Sequence, residues 1–266
     1  MKRKLSIILL MLVASMSTQR AMAWATWGHH ISAYIAEQHL TPEAKAKCEH
    51  YLQHSLPHYS SWQDYWRNSH PFEEITHWHM NYVDVDFNTK GKGGVITRDA
   101  VTQLERLIKE MGKGKYHKLS DSLVAVNLKL IIHMAADMHC PCHVGYDKAS
   151  GFKHRSMFFK GKKYDRHKFW DAVPQLIHPK WKLEDFHKAC DTYSPKEIKK
   201  IQKGTPSKWG LDNAHKMVET FSYWERHEEY KNMSAEQHEK IQNITHEQLT
   251  YGGYRMAAIL NKIFSK

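Results

Sequence analysis

Two pairs of side chains share one spacing: His133 with Asp137, and His167 with Asp171, each four residues apart. On a helix, that spacing puts imidazole and carboxylate on one face a turn apart, where nitrogen and oxygen can converge on a cation such as zinc. The first pair sits in an apolar run, and a carboxylate there is costly unless it is paired or binds metal. Pro141 ends that run, and His143 follows six residues after Asp137, close enough for the chain to fold back toward the same point. The second pair alone would be an ordinary surface contact. Other candidates are Trp24 with His29, Asp64 with Arg67 one turn on, and His79. With 21 histidines in 266 residues, spacing has to do the selecting. Chemistry suited to this set is hydrolysis assisted by metal ions.

The elements that must position these residues are mostly helical, because apolar residues recur at three and four positions and strand-like alternation is scarce. Thr41-Pro42-Glu43 and Ser194-Pro195 with Glu197 are helix entries. Further helices are predicted over 28–39, 98–111, 122–139, 166–177, 211–230 and 235–263. In the third of these, Leu123, Val126, Leu130, Ile131 and Met134 form the stripe expected to face the core. One hairpin is predicted from Arg155 to Tyr164, turning at Lys160-Gly161-Lys162. No repeat, low-complexity tract or Pro/Gly-rich linker divides the chain, so the expectation is one all-α domain with one small β-hairpin.

Residues 1–23 read as a signal peptide: Lys2, Arg3 and Lys4 precede an apolar run from Leu5 to Met16, and Ala21-Met22-Ala23 is a cleavage pattern. The mature domain would span residues 24–266, exported to a periplasm or secreted. No later stretch approaches the ~18 apolar residues of a membrane span, so stable membrane association is not expected. The formal net charge is +11, and the leader carries four bases and no acid, so the mature chain keeps an excess of +7. Such a surface attracts polyanions, nucleic acid or anionic lipid alike. Among the four cysteines, Cys140 and Cys142 are too close in sequence for an unstrained bridge. Cys48 with Cys190 is the easier disulfide, set against four reduced thiols filling apolar gaps.

In order, Trp24-Ala-Thr-Trp-Gly-His29, Trp62-Gln-Asp64-Tyr-Trp-Arg67, Trp78-His79, His133-Met-Ala-Ala-Asp137 through Pro141-Cys142-His143-Val-Gly145, His167-Lys-Phe-Trp170-Asp171 and Gln248 through Gly252-Gly253-Tyr-Arg255 to Asn261 resemble the zinc-dependent single-strand-specific nucleases, the S-one/P-one family, over the whole mature chain. The resemblance implies a mostly helical phospholipase C/nuclease-type fold with three zinc ions. One would be held by Asp64, His79, His133 and a shared Asp137; a second by His143, His167 and Asp171; a third by the amino nitrogen and carbonyl oxygen of Trp24 with His29 and Asp137. Asp64 and Arg67 would act in catalysis, with water activated between zincs attacking phosphorus in line. The implied activity is endonucleolytic cleavage of single-stranded DNA or RNA to 5′-phosphorylated products, with 3′-nucleotidase activity as an additional reading. Nucleic acid or nucleotides would be the partners.

The chain departs from the family's pattern at three places. Cys142 stands where leucine is usual, as a space-filler or as a soft thiolate ligand. A usual Gly-Gly-Asn is missing after Gly145, and Met80, followed by Tyr82 and Asp84, stands where a base-stacking aromatic is common. Substrate contacts are therefore expected from Met80, Tyr82, Asp84 and a basic hairpin bearing Lys153, Lys160, Lys162 and Lys163 among aromatics, against a solvated hairpin whose aromatics pack inward. Two other functions fit parts of the pattern: a zinc-dependent phospholipase C, which shares the fold and much of the ligand string, and an exported zinc- or polyanion-binding protein without turnover. Trp-x-Asp-x-x-Arg and the terminal Gln-Leu-x-x-x-Gly-x-Arg favour the nuclease.

Overall fold

The computed structural model describes residues 24, 26–83, 90–91, 94–95, 99–146, 156–225 and 234–265. Helices α1 (Thr26–Gln38), α2 (Pro42–Leu52), α3 (Leu56–Tyr59) and α4 (Trp62–Trp66) lead through a 3-10 turn at Glu73–His77 to strand β1 (Asn81–Val83). Then come β2 (Lys90–Gly91), β3 (Gly94–Val95), α5 (Ala100–Met111), α6 (Asp121–Asp137) and, past a 3-10 turn at Pro141–His143, β4 (Val144–Tyr146). The rest is β5 (Ser156–Phe159), β6 (Lys162–Asp165), α7 (Arg166–Ile177), α8 (Leu183–Cys190), α9 (Pro195–Gln202), α10 (Pro206–Glu225) and α11 (Ala235–Phe264). The chain is thus a single, mostly helical domain, as its apolar spacing predicts. Residues 1–23 lie outside the described residues.

Capping explains where the helices begin. Thr41, Ser120, Ser194 and Ser234 each accept a hydrogen bond from a backbone N–H of the first turn, and Asp165 accepts from the amides of His167 and Lys168. α6 starts at Asp121 and stops at Asp137, two residues short of the expected end. Its core-facing stripe is Val124, Leu128, Ile131 and Ala135, flanked by Leu130 and Met134. Leu123, expected in the stripe, is 45% exposed because one residue along a helix is a rotation of about 100°. α10 begins at Pro206 rather than 211, and 226–230, its expected end, lie outside the described residues.

The predicted hairpin is β5–β6, paired from Ser156↔Asp165 to Phe159↔Lys162. Lys160 and Gly161 both have positive φ, 49° and 75°, the two-residue turn that matches strand twist. Besides this hairpin, the short β2 pairs antiparallel with β3, and β1 runs parallel to β4, with Asn81 opposite Val144. That parallel pair carries the chain after His79 alongside the chain after His143.

Apolar side chains form two clusters, one around α2, α5, α6 and the end of α11, the other around α7, α8, α9 and the start of α11. Cys48 belongs to the first and Cys190 to the second; all four cysteines are free and buried, so the expected Cys48–Cys190 disulfide is absent. α1 and α11 clasp each other across both clusters. A Cβ on Gly253 would lie 2.7 Å from Ile35 Cγ2, so only glycine permits this approach. Ser32 Oγ donates to the Leu249 carbonyl (3.0 Å), and Asn261 accepts from Thr41 N (2.8 Å) while donating to the His39 carbonyl (3.0 Å). Arg255 Nε donates to the Ile201 carbonyl and its Nη1 to His139 Nε2 (2.9 Å). The terminal motif therefore holds helices together, and the remaining α1 and α6 faces are free to build a polar centre. Among the described residues no helix is long and apolar enough to cross a membrane.

Candidate metal centre

α6 presents His133 and Asp137 on one face, fully buried, and Asp137 is the hub. Its Oδ2 lies 2.8 Å from His79 Nδ1 and 3.0 Å from His133 Nε2; its Oδ1 lies 3.2 Å from His143 Nδ1 and 3.3 Å from His29 Nε2. Four imidazoles from four parts of the chain surround one carboxylate. Asp64, on α4, stands one shell further out, 3.9 Å from each of His29 Nε2, His79 Nδ1 and His133 Nε2. Arg67 Nη1 is 3.4 Å from Asp64 Oδ1. His29 stacks on His133 at 4.1 Å between ring centres.

Backbone carbonyls set the ring orientations. His133 Nδ1–H donates to the Ser60 carbonyl at 2.7 Å, which leaves Nε2 facing the Asp137 carboxylate. Two lone pairs at 3.0 Å repel, so a proton or a cation has to lie between them. His143 Nδ1–H donates to the His79 carbonyl at 3.1 Å, leaving Nε2 buried without a partner among the described residues. Gln63 fixes the third ring, its amide reaching the Ile75 and Trp78 carbonyls and lying 3.3 Å from His79 Nε2.

Electrostatics follow from this crowding. Burial raises the pKa of Asp137, but His133, His143 and His29 outweigh it and hold the carboxyl well below its usual range. Burial lowers His143 and His133, yet the nearby carboxylates, Asp137 foremost, lift His133 above its ordinary value and His143 to about 10. Burial wins at His79 and His167, which fall to about 4, and at Asp171, raised to about 7. His29 is lowered by burial and by His133. A buried carboxylate that draws protons onto its imidazole neighbours is a site short of positive charge, and metal ions supply it. Both Asp64 oxygens, His143 Nε2 and Asp171 Oδ2 are buried without a hydrogen-bond partner among the described residues, as metal ligands are before the ion arrives. Ligand atoms lie within 4.8 Å of one another in each of three groups: His29, His133 and Asp137; Asp64, His79 and His133; and Cys140, Cys142, His143 and Asp171. The donor set fits zinc.

The structure thus brings seven of the eight expected ligand side chains, those of His29, Asp64, His79, His133, Asp137, His143 and Asp171, to one place. His167 is at the rim, its Nε2 3.5 Å from Asp171 Oδ2 and its ring 5.2 Å from that of His143. Trp24 is fully buried, and its indole Nε1 donates to the Ala136 carbonyl (3.1 Å), fixing residue 24 beside the end of α6. Its ring lies over Gly28, where an added Cβ would meet Trp24 Cε3 at 2.4 Å.

The expected substrate contacts fare less well. Met80 is half-buried and its carbonyl accepts from Ala100 N. Tyr82 is a strand residue paired with Gly145, while Asp84 and Lys153 lie outside the described residues. On the hairpin, Phe159 packs inward against Phe169, and Tyr164 contacts the same ring, so these aromatics build core and do not form a stacking surface. Lys160, Lys162 and Lys163 remain exposed. Sequence reasoning missed Tyr65 and Trp66, 61% and 45% exposed between Asp64 and Arg67. Two exposed aromatics beside a charged centre are a signal that the Trp-Gln-Asp-Tyr-Trp-Arg string already carried. It also missed Ser60 and Gln63, whose positioning roles arise only on folding.

Residues 24–265 match the family model described as S1/P1 Nuclease. Comparison with curated proteins gave no match.

Proposed function

The chain belongs to the S1/P1 nuclease family, and from that premise we propose that this phosphodiester hydrolase is an exported, zinc-dependent endonuclease acting on single-stranded DNA or RNA. The observation that carries the zinc reading is the ring of four imidazoles around Asp137, two of them oriented by backbone carbonyls. We assign one ion to Asp64, His79, His133 and Asp137, one to His143, His167 and Asp171, and one to Trp24, His29 and Asp137. Zinc held by these residues would lower the pKa of a coordinated water and offset negative charge building on phosphate oxygens.

The chain's own residues do the rest. Asp64 and Asp137 supply the anionic charge that retains the ions, and the Ser60 and His79 carbonyls keep the His133 and His143 rings from turning. Arg67, 3.4 Å from Asp64, steadies that carboxylate and brings a guanidinium to the phosphate, a planar fork that lysine cannot copy. Tyr65 and Trp66 give bases a surface to stack on beside the scissile phosphate. Cleavage before Trp24 frees the α-amine, whose ordinary pKa of about 7.7–8.0 lets a metal displace its proton. The start of the family match at Trp24 supports this processing. Products ending in 5′-phosphate and a 3′-nucleotidase activity belong to the same reading. The Asp64–Arg67 pair favours nucleic acid over phospholipid.

A chain beginning at Trp24, loaded with zinc and counted for metal, should digest single-stranded DNA and RNA far faster than duplex DNA or phosphatidylcholine vesicles. Vesicle hydrolysis without nucleic-acid cleavage would overturn the proposal.

A further inference from the structure

Two thiols beside the metal centre have no part in the hydrolysis outlined above. Cys142 Sγ lies 3.1 Å from Asp171 Oδ1 and 3.2 Å from Cys140 Sγ, while Cys140 Sγ is 4.0 Å from the same carboxylate oxygen. Both cysteines are buried, and so are His143 and Asp171. One ligand atom from each of these four residues falls within 4.8 Å of the others, a grouping that reaches the sulfurs before it reaches His167. Two of its atoms, His143 Nε2 and Asp171 Oδ2, are buried and without a hydrogen-bond partner among the described residues. His167 approaches from the solvent side, its side chain 40% exposed.

We propose that Cys142 is a thiolate ligand of the second metal site, completing His143, His167 and Asp171, an assignment that rests on the metal-dependent reading above. In the metal-free chain the Cys142 thiol donates to the Asp171 carboxylate. A divalent cation takes the place of that proton, which leaves to solvent, so sulfur and oxygen both become ligands and nothing is oxidised or reduced. Cysteine packs as a small hydrophobe and coordinates as a soft donor, so Cys142 fills its apolar pocket and still offers sulfur to an ion. Zinc accepts mixed sulfur, nitrogen and oxygen sets, with Zn–S about 2.3 Å and Zn–N about 2.0–2.1 Å. A soft ligand sets this site apart from the oxygen- and nitrogen-only sites around Asp137 and biases it toward zinc or cadmium over magnesium or manganese. Cys140, behind Cys142 and further from Asp171, packs and does not coordinate.

Cobalt(II) reports this directly, because a thiolate ligand gives an intense near-ultraviolet charge-transfer band that imidazole and carboxylate do not. The chain beginning at Trp24 is loaded with cobalt under a phosphine reductant, its metal counted and its thiols titrated after denaturation. The expected result is the band in the unmutated protein, in Cys48→Ser and in Cys140→Ser, and its loss in Cys142→Ser. Cobalt bound in full without the band would overturn the thiolate and leave the metal centre standing. No binding of cobalt or zinc would overturn both. A band lost in Cys140→Ser but kept in Cys142→Ser would overturn the choice of sulfur.

Discussion

Gly28→Ala should cripple the metal centre without touching a ligand. The added methyl would sit 2.4 Å from Trp24 Cε3 and 2.7 Å from Cδ2, where carbon atoms prefer about 3.5–4.0 Å. The indole therefore has to withdraw by about 1 Å, and it is fully buried with nowhere to go. Overpacking of this kind costs about 1–3 kcal/mol. Withdrawal also stretches the 3.1 Å bond from Trp24 Nε1 to the Ala136 carbonyl. That carbonyl keeps the amide of His139, but the indole N–H is left buried and unpaired, for about 1–3 kcal/mol more. Alanine returns about 1 kcal/mol of helix propensity. The net loss is about 3 kcal/mol, or roughly 6–12 °C in Tm for a chain of this size. Calorimetry on metal-free protein measures that loss. A zinc count then reads the second effect, since a displaced Trp24 would carry its backbone nitrogen away from the third ion proposed above, and turnover should fall with the missing zinc. Equal Tm, equal zinc and equal turnover would refute both the packing argument and the role of Trp24. A chain that retains Met before Trp24 should lose the same ion while keeping its metal-free Tm.

Other perturbations separate the remaining assignments. Asp137→Asn removes charge from the carboxylate that the proposal assigns to two ions, so elemental analysis should find at least two zincs weakened and turnover down by at least about a hundredfold, roughly 3 kcal/mol; three retained zincs would contradict the shared role. Arg67→Lys should cut turnover about tenfold with metal content unchanged. Neutralising Lys160, Lys162 and Lys163 should reduce the salt slope of single-strand binding by about 2 while leaving dinucleotide hydrolysis nearly constant. Away from the centre, burial and then His178 depress His246 to about 4, with the two Nε2 atoms 3.1 Å apart. The unfolded chain takes up that proton near pH 6.5 and the folded chain does not, so stability is intact above pH 6.5 and declines as pH falls toward 4. Melting curves of His246→Gln should be flatter across that window.

The parts of this molecule legible in the sequence are those where one local rule decides. Asp137 on an apolar helix could only be paired or metal-bound, and four buried imidazoles surround it. Lys160-Gly161 was readable as a turn because glycine accepts positive φ, which both residues adopt. α3 and α4, four and five residues long, are too short to show a period. α8 was missed because its N-cap is Lys182, with Asp185 supplying the reciprocal bond, so the usual Ser or Thr marker is absent. The exposure of Leu123 depends on how α6 is rotated against its neighbours. The carbonyls of Ser60 and His79 look like any others until folding brings them under the His133 and His143 rings, so no sequence pattern marks them.

The clasp between α1 and α11 also dictates an order of events in time. Its hydrogen bonds join residues 217 to 222 positions apart, among the longest loops this chain can close. Closing a long loop costs entropy before any contact repays it, so such pairings form late. α1 carries His29 and follows Trp24, and the arrival of α11 on its other side is what clasps it in place. A growing chain therefore presents no finished metal centre. The proposed centre is therefore completed late, once α11 has met α1, and a stop codon before Leu249 would remove the whole clasp that holds α1, and His29 with it, in place.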